Sequence, residues 1–157
     1  MTLITHPRRK SNLARMIDSA GGVSVGVALA RARANIEAKR AEALTVVESE
    51  IAALEAVPAP VGPDDAPARL DEAYRAATGV IDAAGPFDLV DLCRTASSLC
   101  DLIGAARPGE AFDWRIVIVH ARTMRLLQTL PLEAAEQRAR VLHDLGRMVE
   151  RKLAQAG

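Results

Sequence analysis

From residue 24 to residue 57 the apolar positions recur at helical spacing. Val25, Leu29, Ile36, Ala43, Leu44, Val47, Ile51 and Leu54 gather on one side, and Arg31, Arg33, Glu37, Lys39, Arg40, Glu42, Glu48 and Glu50 on the other. The spacing predicts one long helix, and Leu29, Ile36 and Ala43 repeat every seven residues, as in a coiled-coil seam. Such a helix would reach about 50 Å, roughly double an ordinary bundle helix. Its apolar stripe therefore calls for a cover, either a second copy of the chain or the N-terminal segment folded back.

The stretch PAPVGPDDAP (58–67) breaks this pattern and predicts a connector. A second helix is expected over about 68–84, with Leu70, Tyr74, Ala77 and Ile81 buried and Asp71, Arg75, Thr78 and Asp82 on an exposed flank. Gly85 can stop that helix in the left-handed conformation, and Pro86 cannot continue it. A third helix, about 88–105, carries Leu89, Leu92, Cys93, Ala96, Leu99, Cys100 and Ile103 on its inner stripe. RPGEAF (107–112) reads as a turn, after which Asp113 caps a fourth helix from Trp114 to about Leu130. Pro131 interrupts, and a fifth helix presents Val141, Leu142, Leu145, Val149 and Leu153. No segment sustains strand-like alternation. The expected fold is all-α: a polar lead-in (1–22, with a short turn at NLARMI), a long N-terminal helix (23–57), the connector (58–67) and an up-down-up-down four-helix bundle (68–157).

Composition narrows the functional classes. A chain of 157 residues suits one domain with a real core. Half its residues are apolar but only 3% are aromatic, so Ala, Leu, Val and Ile must build that core. Twenty basic residues balance twenty acidic ones, giving no overall pull toward nucleic acid or anionic membrane. The basic cluster His6-Pro7-Arg8-Arg9-Lys10 lacks the aromatic residues that would stack on bases, and reads as a solvated arm. No stretch approaches the ~18 apolar residues of a membrane span, and no signal peptide is evident, so a cytoplasmic location is expected. Cys93 and Cys100 sit two helical turns apart, roughly 10.5 Å against a bridging limit of about 7 Å, and read as small core hydrophobes. No cysteine–histidine cluster suggests a metal, and no cofactor is implied.

One stretch carries more than periodicity. Tyr74, Arg75-Ala76-Ala77-Thr78, Gly79, Val80, Ile81-Asp82, then Gly85 and Phe87, resemble the histidine phosphotransfer (HPt) domain, the first domain of chemotaxis histidine kinases. That family shows an aromatic residue, Arg-Ala-Ala-His, a small and an apolar residue, Lys-Gly, and then a glycine corner with a phenylalanine. LVDLCRTASSLCDLIGAA and FDWRIVIVHARTMRLL look like its next two helices. The whole chain, with SNLARMI and GGVSV, also resembles the small helical CheE proteins encoded with chemotaxis genes.

The departures from the family fall on its chemistry. The phosphoacceptor position holds Thr78, whose alcohol needs a base that an imidazole does not. The lysine position is Ile81 and the following glycine is Asp82, which sets a negative charge where phosphoryl oxygens would lie. The resemblance thus implies a non-catalytic, HPt-like adaptor, a pseudo-phosphotransferase that binds a response-regulator receiver domain or a chemotaxis histidine kinase. Its partner-binding residues would be Arg75, Thr78, Gly79, Asp82, Asp91, Arg94 and Thr95, with a homodimer built on the N-terminal helix. Two alternatives stand beside it: an active phosphotransferase using His120 or His143, and a purely structural helical dimer. By spacing, His120 reads as a core-boundary residue and His143 as a solvated one.

Overall fold

A computed structural model describes residues 22–107 and 110–156. The lead-in, its NLARMI turn, the basic cluster and Pro108-Gly109 lie outside the described residues, as does the side chain of Leu153. Among the described residues the protein is all-α, with helices α1 (Val25–Ala56), α2 (Ala66–Ala84), α3 (Val90–Gly104), α4 (Arg115–Thr129) and α5 (Ala135–Ala156). Each expected helix is present within a few residues of its expected bounds. The chain divides into two compact units, Met1–Glu37 and Ala38–Gly157, so the division falls inside α1 rather than at the proline-rich connector.

In the first unit Ser24 starts α1, its hydroxyl accepting from Val27 N at 3.4 Å. The stripe residues there remain uncovered, Leu29 at 54% and Ile36 at 47% exposure. In the second unit the same stripe reaches the core through Val47, Ile51 and Leu54. Leu44, expected with them, is exposed instead, because the buried line runs 43, 47, 51, 54 and leaves position 44 on its flank.

The core of the second unit is one cluster built from α1 to α4, with Val141 and Leu142 of α5 packed against it. Helix α2 meets α3, α3 meets α4 and α5, and α4 meets α5. From α2 it takes Ala73, Ala76, Ala77, Val80 and Ala84. This face is turned from the expected one: Ala77 is buried, but Tyr74 is exposed and Leu70 and Ile81 are only half-buried. Alanines carry little apolar area, so a pattern weighted by bulk points to the larger residues. Short side chains, however, are what let two helix backbones approach. From α3 the core takes Leu92, Thr95, Ala96 and Leu99, and from α4 Val117, His120, Ala121, Met124 and Leu127. Each fully buried Ile, Leu or Met contributes about 1.5–3 kcal/mol.

Helix α2 ends differently from expectation. Gly85 keeps right-handed angles (φ −57°, ψ −46°) and opens a single 3-10 turn, Gly85–Phe87. The left-handed residue is Asp88 (φ 56°, ψ 30°). Pro86 tolerates the tighter turn because its ring presets φ, and an aspartate is among the few residues that enter the left-handed region.

Helix α5 is fastened at both ends. Near its start, the buried guanidinium of Arg138 donates to Asp91 Oδ2 at 2.6 Å, to Leu127 O at 2.8 Å and to Leu130 O at 2.9 Å. Near its end, Lys152 Nζ lies 3.2 Å from Asp113 Oδ2. Arg138 therefore satisfies carbonyls left open at the end of α4 while neutralising a carboxylate in the first turn of α3. Substituting Arg138→Met should cost about 3 kcal/mol, measured by urea unfolding, because it leaves Asp91 and two carbonyls without partners. Asp91→Asn, which keeps an acceptor on a partly exposed side chain, should cost less than half as much.

Candidate functional site

The expected docking flank is built on α2 and α3, and the structure divides it. Arg75 and Asp82 are exposed on α2, two turns apart, and Arg94 is exposed on α3. Arg75 Nε donates to Asp71 Oδ2 at 3.0 Å, a solvated pair of small energetic weight.

Thr78 and Gly79 occupy the two edges of that face. Thr78 is half-buried, donates Oγ1–H to Tyr74 O at 3.0 Å, and sits 3.9 Å from Cys100 Sγ on α3. This hydroxyl is held by its own helix and by a thiol, and neither is a base. Burial pushes the Cys100 thiol above its ordinary range, partly offset by the Thr78 contact. Gly79 faces α1: a methyl group built there would meet Glu50 Cδ at 2.7 Å. The carboxyl end of the flexible Glu50 side chain thus lies over this glycine on the α1 side of α2.

Thr95 is withdrawn from the surface, and Asp91 is only partly exposed. Thr95 is buried at 1% exposure and donates to Asp91 O at 2.9 Å. A threonine whose hydroxyl bonds back to the carbonyl four residues earlier has the shape of valine, which is how it joins the apolar stripe. Asp91 is engaged by Arg138 and holds helices together. The sequence could not pair Asp91 with Arg138, since nothing local marks residues 47 apart as partners.

The two histidines also separate. His143 is exposed on α5. His120 has no exposed surface, with Nδ1 2.7 Å from Ile116 O and Nε2 3.3 Å from Ser98 Oγ. A carbonyl only accepts, so Nδ1 carries the proton and Nε2 accepts from Ser98. A ring closed off in this way offers no nitrogen to a phosphorylated partner. Thr78 and Asp82 lie one turn apart on α2, whereas His120 is buried on α4. Among the described residues no group of three or more His, Cys, Asp or Glu is placed to hold a metal ion. No buried side-chain nitrogen or oxygen lacks a partner there either.

No family model, curated protein or solved structure matches the chain.

Desolvation lowers the pKa of His120 below its ordinary 6.5, opposed by the Ile116 hydrogen bond. The folded state therefore disfavours the imidazolium, and this contribution to stability is fully present above about pH 6.5. It is lost as pH falls below that value, since the unfolded chain takes up the proton first. Urea midpoints measured between about pH 7.5 and pH 5 should fall accordingly, and His120→Gln should flatten that part of the profile.

Proposed function

We propose that this protein is a non-catalytic, HPt-like adaptor of chemotaxis or two-component signalling. In this reading α2–α5 form the up-down-up-down bundle of a phosphotransfer domain. The outer face of α2, with Arg75, Thr78 and Asp82, and Arg94 of the neighbouring helix, docks a receiver or kinase domain without transferring phosphate. The adaptor works in the cytoplasm, where such domains reside.

The observation that carries the reading is the state of Thr78. The position resembling the phosphoacceptor holds an alcohol whose hydrogen is already donated to Tyr74 O, beside a thiol whose ionisation is disfavoured. Asp82, one turn on, is exposed and would repel an incoming phosphoryl group. The burial of His120 also favours this reading over an active phosphotransferase using that residue. Among the described residues no helix is long and apolar enough to cross a membrane, in keeping with a partner in solution.

The proposal includes a homodimer through the N-terminal half of α1, where Leu29 and Ile36 are exposed one heptad apart. Sedimentation at tens of micromolar should give twice the chain mass of 16.7 kDa. Leu29→Glu with Ile36→Glu should return a folded monomer. A wild-type monomer at that concentration rejects the dimer.

The missing chemistry can be tested by restoring it. Wild-type protein should take no label from a phosphorylated receiver or kinase. Thr78→His alone should gain little, whereas adding Ile81→Lys and Asp82→Gly supplies a cation and removes the repelling charge. Ile81 is half-buried against the core, so its loss should cost about 2 kcal/mol, which the fold should survive. The triple variant should acquire acid-labile phosphate from a receiver that also binds the wild type. A folded triple variant that binds the receiver yet stays unlabelled puts the site elsewhere. Labelled wild type whose label disappears in His143→Ala rejects the non-catalytic reading.

A further inference from the structure

Helix α4 carries a second surface that the phosphotransfer reading does not use. A groove of about 380 Å³ runs between the end of α1 and α4; its apolar walls are Leu54, Val57, Trp114, Val117, Ile118 and Ala121, and Glu55 and Arg122 line it as well. Ile118 is 40% exposed at its edge, and Leu126, two turns along, is 46% exposed. With Arg122 between them, these side chains project from successive turns and cover about 12 Å of one helix face.

The charges beside this groove are unbalanced. Arg125 is neutralised by Glu55 at 2.7 Å and Arg115 by Asp113 at 2.8 Å. Arg122 is exposed at the rim and has no ion-pair or hydrogen-bond partner among the described residues. In a chain whose formal charges sum to zero, this one helix face presents two apolar anchors and an unanswered guanidinium. A guanidinium recognises carboxylates in a bidentate manner, while the groove floor accepts apolar side chains.

We infer that the α1–α4 groove docks an amphipathic helix of another protein, one that carries acidic residues beside its apolar stripe. The match is geometric as well as electrostatic. A helix presenting apolar residues at i, i+4 and i+7 meets Ile118, the groove floor and Leu126 in turn, and an adjacent carboxylate reaches Arg122. The surface lies on α4, away from the α2 face, and the inference stands whether or not a receiver binds there.

Trp114, the chain's single tryptophan, lines the groove and reports on its occupancy by fluorescence. The full chain is titrated with a synthetic helix of about sixteen residues bearing Leu on one stripe and Glu beside it. A second titration uses the same peptide with Lys in place of Glu. The Glu peptide should give a saturable shift of Trp114 emission, and the Lys peptide should bind about tenfold more weakly. Arg122→Glu, an exposed change that leaves the helical circular dichroism intact, should reverse that preference. Equal binding of both peptides, an unchanged preference in Arg122→Glu, or no saturable shift up to about 1 mM overturns the inference. So does a shift of Trp114 produced by anionic phosphatidylglycerol vesicles and not by the Glu peptide.

Discussion

The guanidinium of Arg138 is the constraint on which the arrangement of the last three helices depends. One side chain reaches a carboxylate at the start of α3 and two carbonyls at the end of α4, while its own backbone belongs to α5. Burying a cation this deeply is unfavourable unless every donor it exposes finds an acceptor. The acceptors must therefore arrive in one place, and only one mutual placement of the three helices brings them there. Apolar packing alone would leave α5 loosely specified, since Leu145 is its only buried hydrophobic residue among those described.

This clasp also reorganises the candidate site. It engages the partly exposed Asp91 carboxylate, while the Asp91 carbonyl accepts from the buried Thr95 hydroxyl. The exposed part of the candidate face is Arg75, Asp82 and Arg94, with Thr78 on one edge and the Glu50–Gly79 contact on the other. That contact sets Glu50 of α1 beside α2, within the unit that begins at Ala38. The first helix is thus shared between two units.

Much of the fold was legible in the sequence because helical period, prolines and capping residues are local signals. Pro58 to Pro67 marks the connector, and Asp113 stands just before α4, its carboxylate accepting from Arg115 N at 3.1 Å while Trp114 takes the N-cap position. The Arg115 contact first, with help from Lys152, holds that carboxyl down to about 2. Local signals fail where tertiary contacts decide. The rotation of α2 onto its alanines depends on which neighbours press on it, and the burial of Thr95 depends on a bond that removes its polarity. The left-handed residue at Asp88 was missed because glycine at position 85 is the usual choice for that conformation. At the candidate site, residue types could suggest a lost phosphoacceptor, but the separation of Thr78, Asp91 and Thr95 into edge, clasp and core needed three dimensions.

The alanine face of α2 has a consequence for how this protein can change over generations. Ala73, Ala77 and Ala84 are fully enclosed and already the smallest residues with good helix propensity. Trimming them to glycine sacrifices about 1 kcal/mol of helix stability each, and enlarging them forces neighbours apart at about 1–3 kcal/mol. Drift on this helix is therefore channelled outward, to exposed positions such as 75 and 82. The outer surface of α2 can change its chemistry one substitution at a time while the scaffold beneath it stays fixed.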